Sequence, residues 1–290
     1  MPGNPEAKRP RRSRQALTRT AWTLGSRLPH WARRLVCAVA PALITPLPVP
    51  GLRQWSDNVE AVLGFRPSKA EQRALVGSWL RNNLMSLSLA RWSDEDVLRR
   101  VVISDADVQK LRDSLAGPGL VLALPHMGSW DFAGAWCSRV GIKVTSVAER
   151  LPRGLYERFR DARAGMGMDI LPMGEPNLMR ALAHAVGQGH AVCLLSDRDI
   201  SGRGLEVQWP GTSSTVSVPA GPALLSRLTG CDMRVVTTSF VGDRVKLEVG
   251  EIIPIGGPLE MMTAAVHGFA AAVQERPTSW LMLQPLFRAR

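Results

Sequence analysis

Signatures of several common protein classes are missing from this 290-residue chain. It has neither a Walker phosphate-binding loop nor a GxSxG nucleophile elbow, so neither type of site is predicted. Its five histidines lack the spacing of metal ligands, so no metal centre is predicted either. The few cysteines are far apart in apolar surroundings, which indicates buried, reduced thiols and a reducing compartment. They are Cys37, Cys137, Cys193 and Cys231.

A long uninterrupted apolar run is also missing. The most apolar stretch near the start, residues 35–51, contains prolines at 41, 46, 48 and 50 and is shorter than the ~20 residues of a spanning helix. No small-residue cleavage site follows a compact apolar core, as a signal peptide requires. We therefore expect a helix that lies in the membrane interface and turns at the prolines. Burial of this segment in the protein core is an equal alternative.

Acidic residues are scarce at the start of the chain, whose formal net charge is +11. The first 34 residues contain nine basic residues and a single acidic one, Glu6. Such an arm binds nucleic acid, binds an anionic membrane surface, or is a solvated tail. The absence of helix-turn-helix, zinc and RNP signatures argues against nucleic acid. Leucines and Trp22 among the arginines of residues 16–28 favour an interfacial helix.

The domain prediction follows from this pattern. We expect a disordered basic arm over residues 1–15 and a single domain over residues 16–290, of which 16–50 form membrane-interface helices. Residues 16–116 have mostly helical patterns, with Ser68 and Ser93 as helix N-caps.

From residue 120 onward, short apolar runs alternate with helical segments. This alternation predicts an α/β fold, a largely parallel sheet flanked by helices. The expected strands are 120–124, 143–147, 168–171 and 191–195, and the expected helices are 130–139, 152–166, 177–187 and 219–229. A hairpin over 233–249 turns at Gly242-Asp243, and the last helix covers 258–275.

Residues 120–136, LVLALPHMGSWDFAGAW, are the most informative segment. An apolar run ends in proline, His126 follows, and Asp131 comes five residues later. Five positions on an ideal helix rotate by about 500°, so the two side chains meet only if His126 precedes the helix. Gly128 permits a turn and Ser129 is a good N-cap residue. Asp131 then lies in the first helical turn, and the pair suits removal of a proton from a hydroxyl.

Further charged residues follow other predicted strands. Asp197, Arg198 and Asp199 come directly after 191–195, and ligands gather at the carboxyl ends of parallel strands. We expect these three residues to converge on His126, and a surface ion pair is the alternative.

A third group of charges lies near the strand 143–147. Glu149 and Arg150 follow it, and Arg163 lies on the next helix. The group would either complete a charged network at the same rim or form ordinary structural pairs.

Together these segments identify a resemblance. The chain resembles the bacterial lipid A biosynthesis acyltransferases, above all their actinobacterial branch, the phosphatidylinositol mannoside acyltransferases. The match covers nearly everything after residue 15. It consists of AW-x-LGSRLP, NVEAVLG, ALPHMGSWD, VAERL with LYERF, SDRDISGRGLEVQWPG, VPAGPALLSRLTG and the ending that starts at Trp280, WLMLQP.

The resemblance implies an αβα sandwich with a hydrophobic groove for an acyl chain. It implies a peripheral enzyme on the cytoplasmic face of the membrane that needs no cofactor. The enzyme would move a long-chain acyl group from acyl-CoA or acyl carrier protein to a hydroxyl of a lipid or glycolipid, such as a phosphatidylinositol mannoside. An anionic membrane surface would be its partner, and nucleic acid would not.

The resemblance also assigns roles to residues. His126 falls on the catalytic histidine, Asp131 on the motif carboxylate, and Asp197 on a glutamate that supports the histidine. Glu149 and Arg163 align with a polar network. This chain departs from the family in having Ser129 where asparagine is common and in the shorter side chain of Asp197. A carboxylate about 1.5 Å further back would need a water molecule to reach the histidine.

The mechanism predicted from these residues is direct transfer without an acyl-enzyme. His126 takes the proton of the acceptor hydroxyl, and Asp131 or Asp197 orients it, with Asp131 expected to lie nearer the imidazole. Backbone N–H groups at the start of the Ser129 helix would stabilise the oxyanion. Arg198 would attract phosphates of the donor or the lipid.

Two questions stay open at this point. Trp136 would either line the acyl groove or belong to the core. The rival functions are acyl transfer to a specialised metabolite and a non-catalytic, membrane-binding homologue.

Overall fold

The computed structural model describes residues 28–150 and 155–287. The predicted basic arm and the first part of the predicted interface helices lie outside these residues. Ten α-helices are found in the described part. They are α1 (His30–Ile44), α2 (Pro50–Leu63), α3 (Lys69–Ser86), α4 (Asp94–Arg100), α5 (Asp105–Ala116), α6 (Trp130–Arg139), α7 (Leu155–Ala164), α8 (Leu178–Gly187), α9 (Gly221–Thr229) and α10 (Pro258–Glu275).

Local capping explains where several of these helices begin. Ser68 and Glu71 form a reciprocal capping box at the start of α3, and the Ser93 hydroxyl accepts the Asp96 N–H at the start of α4. Both N-caps were predicted from the sequence and are confirmed. No helix among the described residues is long and apolar enough to cross a membrane.

Nine β-strands are found in the described part. They are β1 (Val101–Val102), β2 (Leu120–Leu124), β3 (Val144–Ala148), β4 (Met168–Pro172), β5 (Ala191–Leu195), β6 (Leu205–Gln208), β7 (Thr215–Val218), β8 (Asp232–Val241) and β9 (Arg244–Ile253). Seven of them form one mixed sheet in the order β1-β9-β8-β2-β5-β3-β4. Strands β2, β3, β4, β5 and β8 run parallel to one another, and β9 pairs antiparallel with β8. The predicted α/β fold is therefore confirmed.

The central strand β2 separates two hydrophobic cores. Val121 and Ala123 face one core, which includes residues of α2, α8, α9 and α10, while Leu120, Leu122 and Leu124 face the other, which includes residues of α5 and α6. Alternate side chains of a strand point to opposite faces, so a strand covered on both faces is apolar throughout. This arrangement explains the continuous apolar run of β2.

The small antiparallel pair β6–β7 was not predicted. Its strands are four residues each, lie outside the main sheet and carry exposed polar side chains such as Glu206 and Gln208. Only their alternate residues, including Val207 and Val216, are buried. A pattern this short is too weak to distinguish from a loop.

Candidate active site

The site is built where two neighbouring strands end. Strands β2 and β5 pair in parallel, with Leu124 opposite Leu195, and the Ser196 N–H donates to the Leu124 carbonyl at 2.7 Å. His126 and Asp197 each lie two residues beyond this last pair. Their side chains therefore emerge side by side at the carboxyl edge of the sheet, where parallel α/β sheets place ligands.

His126 and Asp197 contact each other twice. The Asp197 Oδ1 atom lies 2.5 Å from the imidazole Nδ1, and Oδ2 accepts the backbone N–H of His126 at 2.9 Å. The carboxylate is fully buried, while 30% of the His126 side chain is exposed. The predicted need for a bridging water is wrong, because the strand ends bring the shorter side chain into direct contact.

The surroundings keep Asp197 ionised although it is buried. Burial of the carboxyl raises its pKa. The charge of His126 and the hydrogen bonds from His126 and Trp280 outweigh burial, so the pKa of Asp197 lies below its ordinary value. With Nδ1 facing this carboxylate, Nε2 is the ring nitrogen left to exchange a proton with a substrate.

Asp131 has a different partner. Its carboxylate accepts Arg163 Nε at 2.8 Å and Nη2 at 3.5 Å, and both side chains are largely buried. The expectation that Asp131 lies nearer the imidazole than Asp197 is wrong. Asp131 lies in the first turn of α6 and its carboxylate binds Arg163 on α7, whereas His126 lies in the turn before α6 and contacts Asp197.

A tight turn separates His126 from that helix. Gly128 adopts a φ of 57°, and a Cβ there would lie 2.4 Å from the Thr238 carbonyl oxygen on β8. The Ser129 N–H donates to the Thr238 hydroxyl at 2.8 Å, and that hydroxyl donates to the Met127 carbonyl at 2.6 Å. The glycine is needed for both its positive φ and its close approach to β8.

Ser129 occupies the N-cap position of α6 but makes no side-chain capping bond. Its hydroxyl is buried and has no hydrogen-bond partner in the described part of the chain. The predicted capping role is thus wrong in its chemistry, because the backbone turns toward β8. Since its N–H is used by Thr238, that group does not serve an oxyanion.

The C-terminal segment closes the other side of the site. The Leu281 N–H donates to the His126 carbonyl at 2.7 Å, and the Gly128 N–H donates to the Ser279 carbonyl at 2.8 Å. Trp280 donates its indole N–H to Asp197 Oδ2 at 3.1 Å. In the sequence only the family resemblance points to this ending, because nothing local links it to a loop more than 80 residues earlier.

The other charged residues have partners other than His126 or are exposed. Arg198 bonds the Gln284 side chain, and Asp199 accepts N–H groups of its own loop. Of the three residues expected to converge on His126, the structure shows a contact with it for Asp197 alone. Arg150 pairs with Glu175 while Arg163 pairs with Asp131, so these charges form separate pairs rather than one network. Glu149 is exposed just after β3.

Trp136 lies in the core. It is 3% exposed and packs in the same buried cluster as Phe132. The structure thus places it in the second of the two locations that the sequence left open, and a role in acyl-chain binding remains a prediction.

A cavity of about 530 Å³ lies elsewhere, along the edge strand β4. Its lining includes Arg160, Met168, Ile170, His184 and His190. Two strands separate β4 from β2, which amounts to about 14 Å at the usual strand spacing. The cavity is therefore separate from the His126 site.

Fold and site together define a class of protein. An α/β sheet with a histidine–carboxylate pair at its carboxyl edge is an arrangement suited to proton transfer at a bound substrate. The model of the family "Bacterial lipid A biosynthesis acyltransferase" matches residues 1–289. The chain belongs to this family and is an acyltransferase.

Two relatives carry a more specific name. The chain is 38% identical over 244 residues to the phosphatidylinositol mannoside acyltransferase of Mycolicibacterium smegmatis, an alignment that covers 81% of this chain and 79% of the relative. It is 36% identical over 179 residues to the Mycobacterium tuberculosis protein of the same name, which covers 60% of this chain and 56% of the relative.

Proposed function

We propose that this enzyme transfers a long-chain acyl group from an acyl thioester to a hydroxyl of a phosphatidylinositol mannoside-like glycolipid, with His126 as general base. The observation that carries the proposal is the 2.5 Å contact between the His126 imidazole and the buried Asp197 carboxylate. The names of the relatives support the choice of acceptor.

The proposed reaction has two steps and no acyl-enzyme. His126 Nε2 takes the proton of the acceptor hydroxyl while the oxygen attacks the thioester carbonyl, and Asp197 stabilises the imidazolium that forms. The tetrahedral intermediate then expels the thiolate, which takes the proton back from the imidazolium. The products are an ester and a free thiol, and His126 returns to its starting state.

The oxyanion is proposed to bind at the start of α6. The first N–H groups of a helix have no intrahelical partner, and here these include the N–H groups of Trp130 and Asp131. They follow directly on the His126 turn, and the helix dipole adds positive potential there. Asp131 would act by holding α6 against Arg163 rather than by touching the imidazole.

Substrate contacts by Glu149, Arg163, Arg198, Ser129 and Trp136 remain proposals. Arg163 and Arg198 are already engaged with Asp131 and Gln284. Any contact with a phosphate would therefore be shared with these partners. Acyl-CoA and acyl carrier protein are both anionic donors that suit the net positive charge of the chain. No cofactor is proposed, because the thioester itself supplies an activated acyl group.

Peripheral attachment to the cytoplasmic face of the membrane is part of the proposal. Along α1, four apolar side chains spaced four residues apart are between 48% and 70% exposed: Trp31, Leu35, Val39 and Leu43. Residues at this spacing share one side of a helix. An exposed apolar stripe on the helix that follows a basic arm is suited to the headgroup layer of an anionic membrane.

The experiment that tests the function is a product search. The purified protein is incubated with long-chain acyl-CoA, or with acyl carrier protein, and separate glycolipid, phospholipid and small-metabolite fractions. Mass measurement then identifies any acylated product. A glycolipid gaining one acyl group supports the proposal, whereas an acylated metabolite would support the specialised-metabolite alternative. Vesicle binding without turnover on any fraction would indicate a non-catalytic homologue.

A further inference from the structure

The Asp197 carboxylate is held on its far side by a residue from the end of the chain. Its Oδ2 accepts two N–H groups, that of the His126 backbone at 2.9 Å and that of the Trp280 indole at 3.1 Å. Oδ1 is left to face the imidazole Nδ1. A partial rotation of the carboxylate about its Cβ–Cγ bond would break the Trp280 bond, so the indole helps to fix the carboxylate plane in which the second oxygen faces the imidazole.

Trp280 is itself held from several directions. Its ring is fully buried and packs on Trp209 at a centroid distance of 5.6 Å. Its carbonyl accepts the Trp55 indole N–H at 2.9 Å, and Asn58 on the same helix α2 donates to the Met282 and Gln284 carbonyls, both at 2.9 Å. The segment 279–284 is therefore fastened both to α2 and to the His126 turn.

We infer that Trp280 is a positioning residue for acyl transfer, one that orients the Asp197 carboxylate toward His126 through its indole N–H. The inference rests on the proposed general-base role of His126. The inference assigns a role to the WLMLQP motif, because its Trp280 places a rigid, neutral N–H donor beside the buried Asp197 carboxylate. A neutral donor stabilises the carboxylate without adding a competing positive charge beside the imidazole.

The charged groups around the pair have other partners. Asp131 binds Arg163, Arg198 binds Gln284, and Asp199 binds its own loop. Apart from His126 itself, Trp280 is the only residue whose side chain the structure shows donating to Asp197 within the described residues, so removing its N–H leaves the His126 bonds in place.

The test compares Trp280→Phe with Trp209→Phe. Both variants lose an indole from the same buried cluster, but only the first loses the N–H on Asp197. We expect Trp280→Phe to lower kcat about 10-fold, the equivalent of one hydrogen bond to a charged group, with KM nearly unchanged. The acid limb of its kcat–pH profile should move to higher pH, because a carboxylate that has lost a hydrogen-bond donor binds the proton it shares with His126 more tightly. Trp209→Phe should leave the acid limb in place.

A spectroscopic readout separates this inference from the proposed reaction. In protein labelled with ¹⁵N-histidine, the short Nδ1–H···Oδ1 contact should give a far-downfield proton signal, assigned by its loss in His126→Gln. Trp280→Phe should shift or broaden that signal and Trp209→Phe should not, whether or not the protein acylates the lipid offered. An unchanged signal and acid limb in a folded Trp280→Phe protein would overturn the inference.

If Trp280→Phe fails to fold, the unmodified sequence still provides a test. In protein labelled with ¹⁵N-tryptophan, the Trp280 indole N–H signal should shift over the same pH range as the His126 ring protons, since Asp197 joins the two. An indole signal whose chemical shift stays constant over the pH range in which the His126 ring protons shift would equally overturn the inference.

Discussion

The substitution Asp197→Asn should nearly stop the reaction while leaving the fold intact. The side chain keeps its shape but loses the charge that lies 2.5 Å from His126 Nδ1 in a fully buried position. For charge centres ~4 Å apart, an effective dielectric constant of ~20 gives about 4 kcal/mol for an imidazolium beside a carboxylate. Because each 1.36 kcal/mol is tenfold in rate, Asp197→Asn should lower kcat by about 10³-fold.

Two further variants sharpen this prediction. The bridging water expected from the resemblance would mean that Asp197→Glu, which restores the family's longer side chain, keeps or raises activity. The structure reverses that expectation, because Asp197 already reaches the imidazole and an extra methylene in a filled site costs about 1–3 kcal/mol. Asp131→Asn should lower stability more than kcat, because Asp131 binds Arg163.

The assay is steady-state acyl transfer by the three variants, with thermal unfolding as the check on folding. Near-normal kcat for a folded Asp197→Asn protein would remove Asp197 from the mechanism. A larger loss of kcat for Asp131→Asn than for Asp197→Asn would restore Asp131 as the main partner of the histidine.

Three other predictions concern the membrane, the turn and pH. Leu35→Glu and Leu43→Glu should each weaken binding to anionic vesicles about 10-fold, since burying a leucine contributes about 1.5–3 kcal/mol. Leu228→Glu, at a similarly exposed position on α9, should leave vesicle binding unchanged. Equal effects of the three substitutions in a flotation assay would contradict a membrane-binding role for the α1 stripe. In urea unfolding, Gly128→Ala should destabilise the protein by about 2 kcal/mol more than Gly141→Ala. Both glycines have a positive φ, but only at Gly128 would an added Cβ clash with Thr238. Equal losses of stability would mean that the backbone around Thr238 shifts without cost. As the pH falls from about 5 to about 3, the unfolding free energy of the wild type should fall more steeply than that of Asp197→Asn. The native pKa of Asp197 is lowered, so its contribution to stability is complete above the unfolded pKa of about 4 and is lost as the native carboxyl is protonated at lower pH. Parallel curves of unfolding free energy against pH for the two proteins would refute this.

The fold could be predicted from the sequence wherever the signal was local. The apolar runs of β2 and β5 and the capping residues Ser68 and Ser93 depend on neighbouring residues only, and the structure has them where the pattern places them. The pair β6–β7 was missed because four-residue strands with exposed polar side chains carry no distinctive period.

The site could be predicted only in part, for a related reason. The sequence placed His126 and Asp197 at strand ends, but which strands are neighbours is a tertiary property. Asp131 was favoured as the partner of His126 because it is close along the chain. The turn at Gly128 separates the two side chains in the folded protein. Trp280 lies 83 residues from Asp197, so its hydrogen bond could be found only in the folded chain.

The most direct test of the account is the turnover of His126→Ala on the acceptor that the product search identifies. His184→Ala is the matched control, since it removes an exposed histidine of α8 that lines the separate cavity along β4. General-base catalysis typically contributes 10²- to 10⁴-fold, so His126→Ala should lose at least about 99% of kcat while His184→Ala keeps it. A folded His126→Ala protein with more than half of the wild-type kcat would contradict the account.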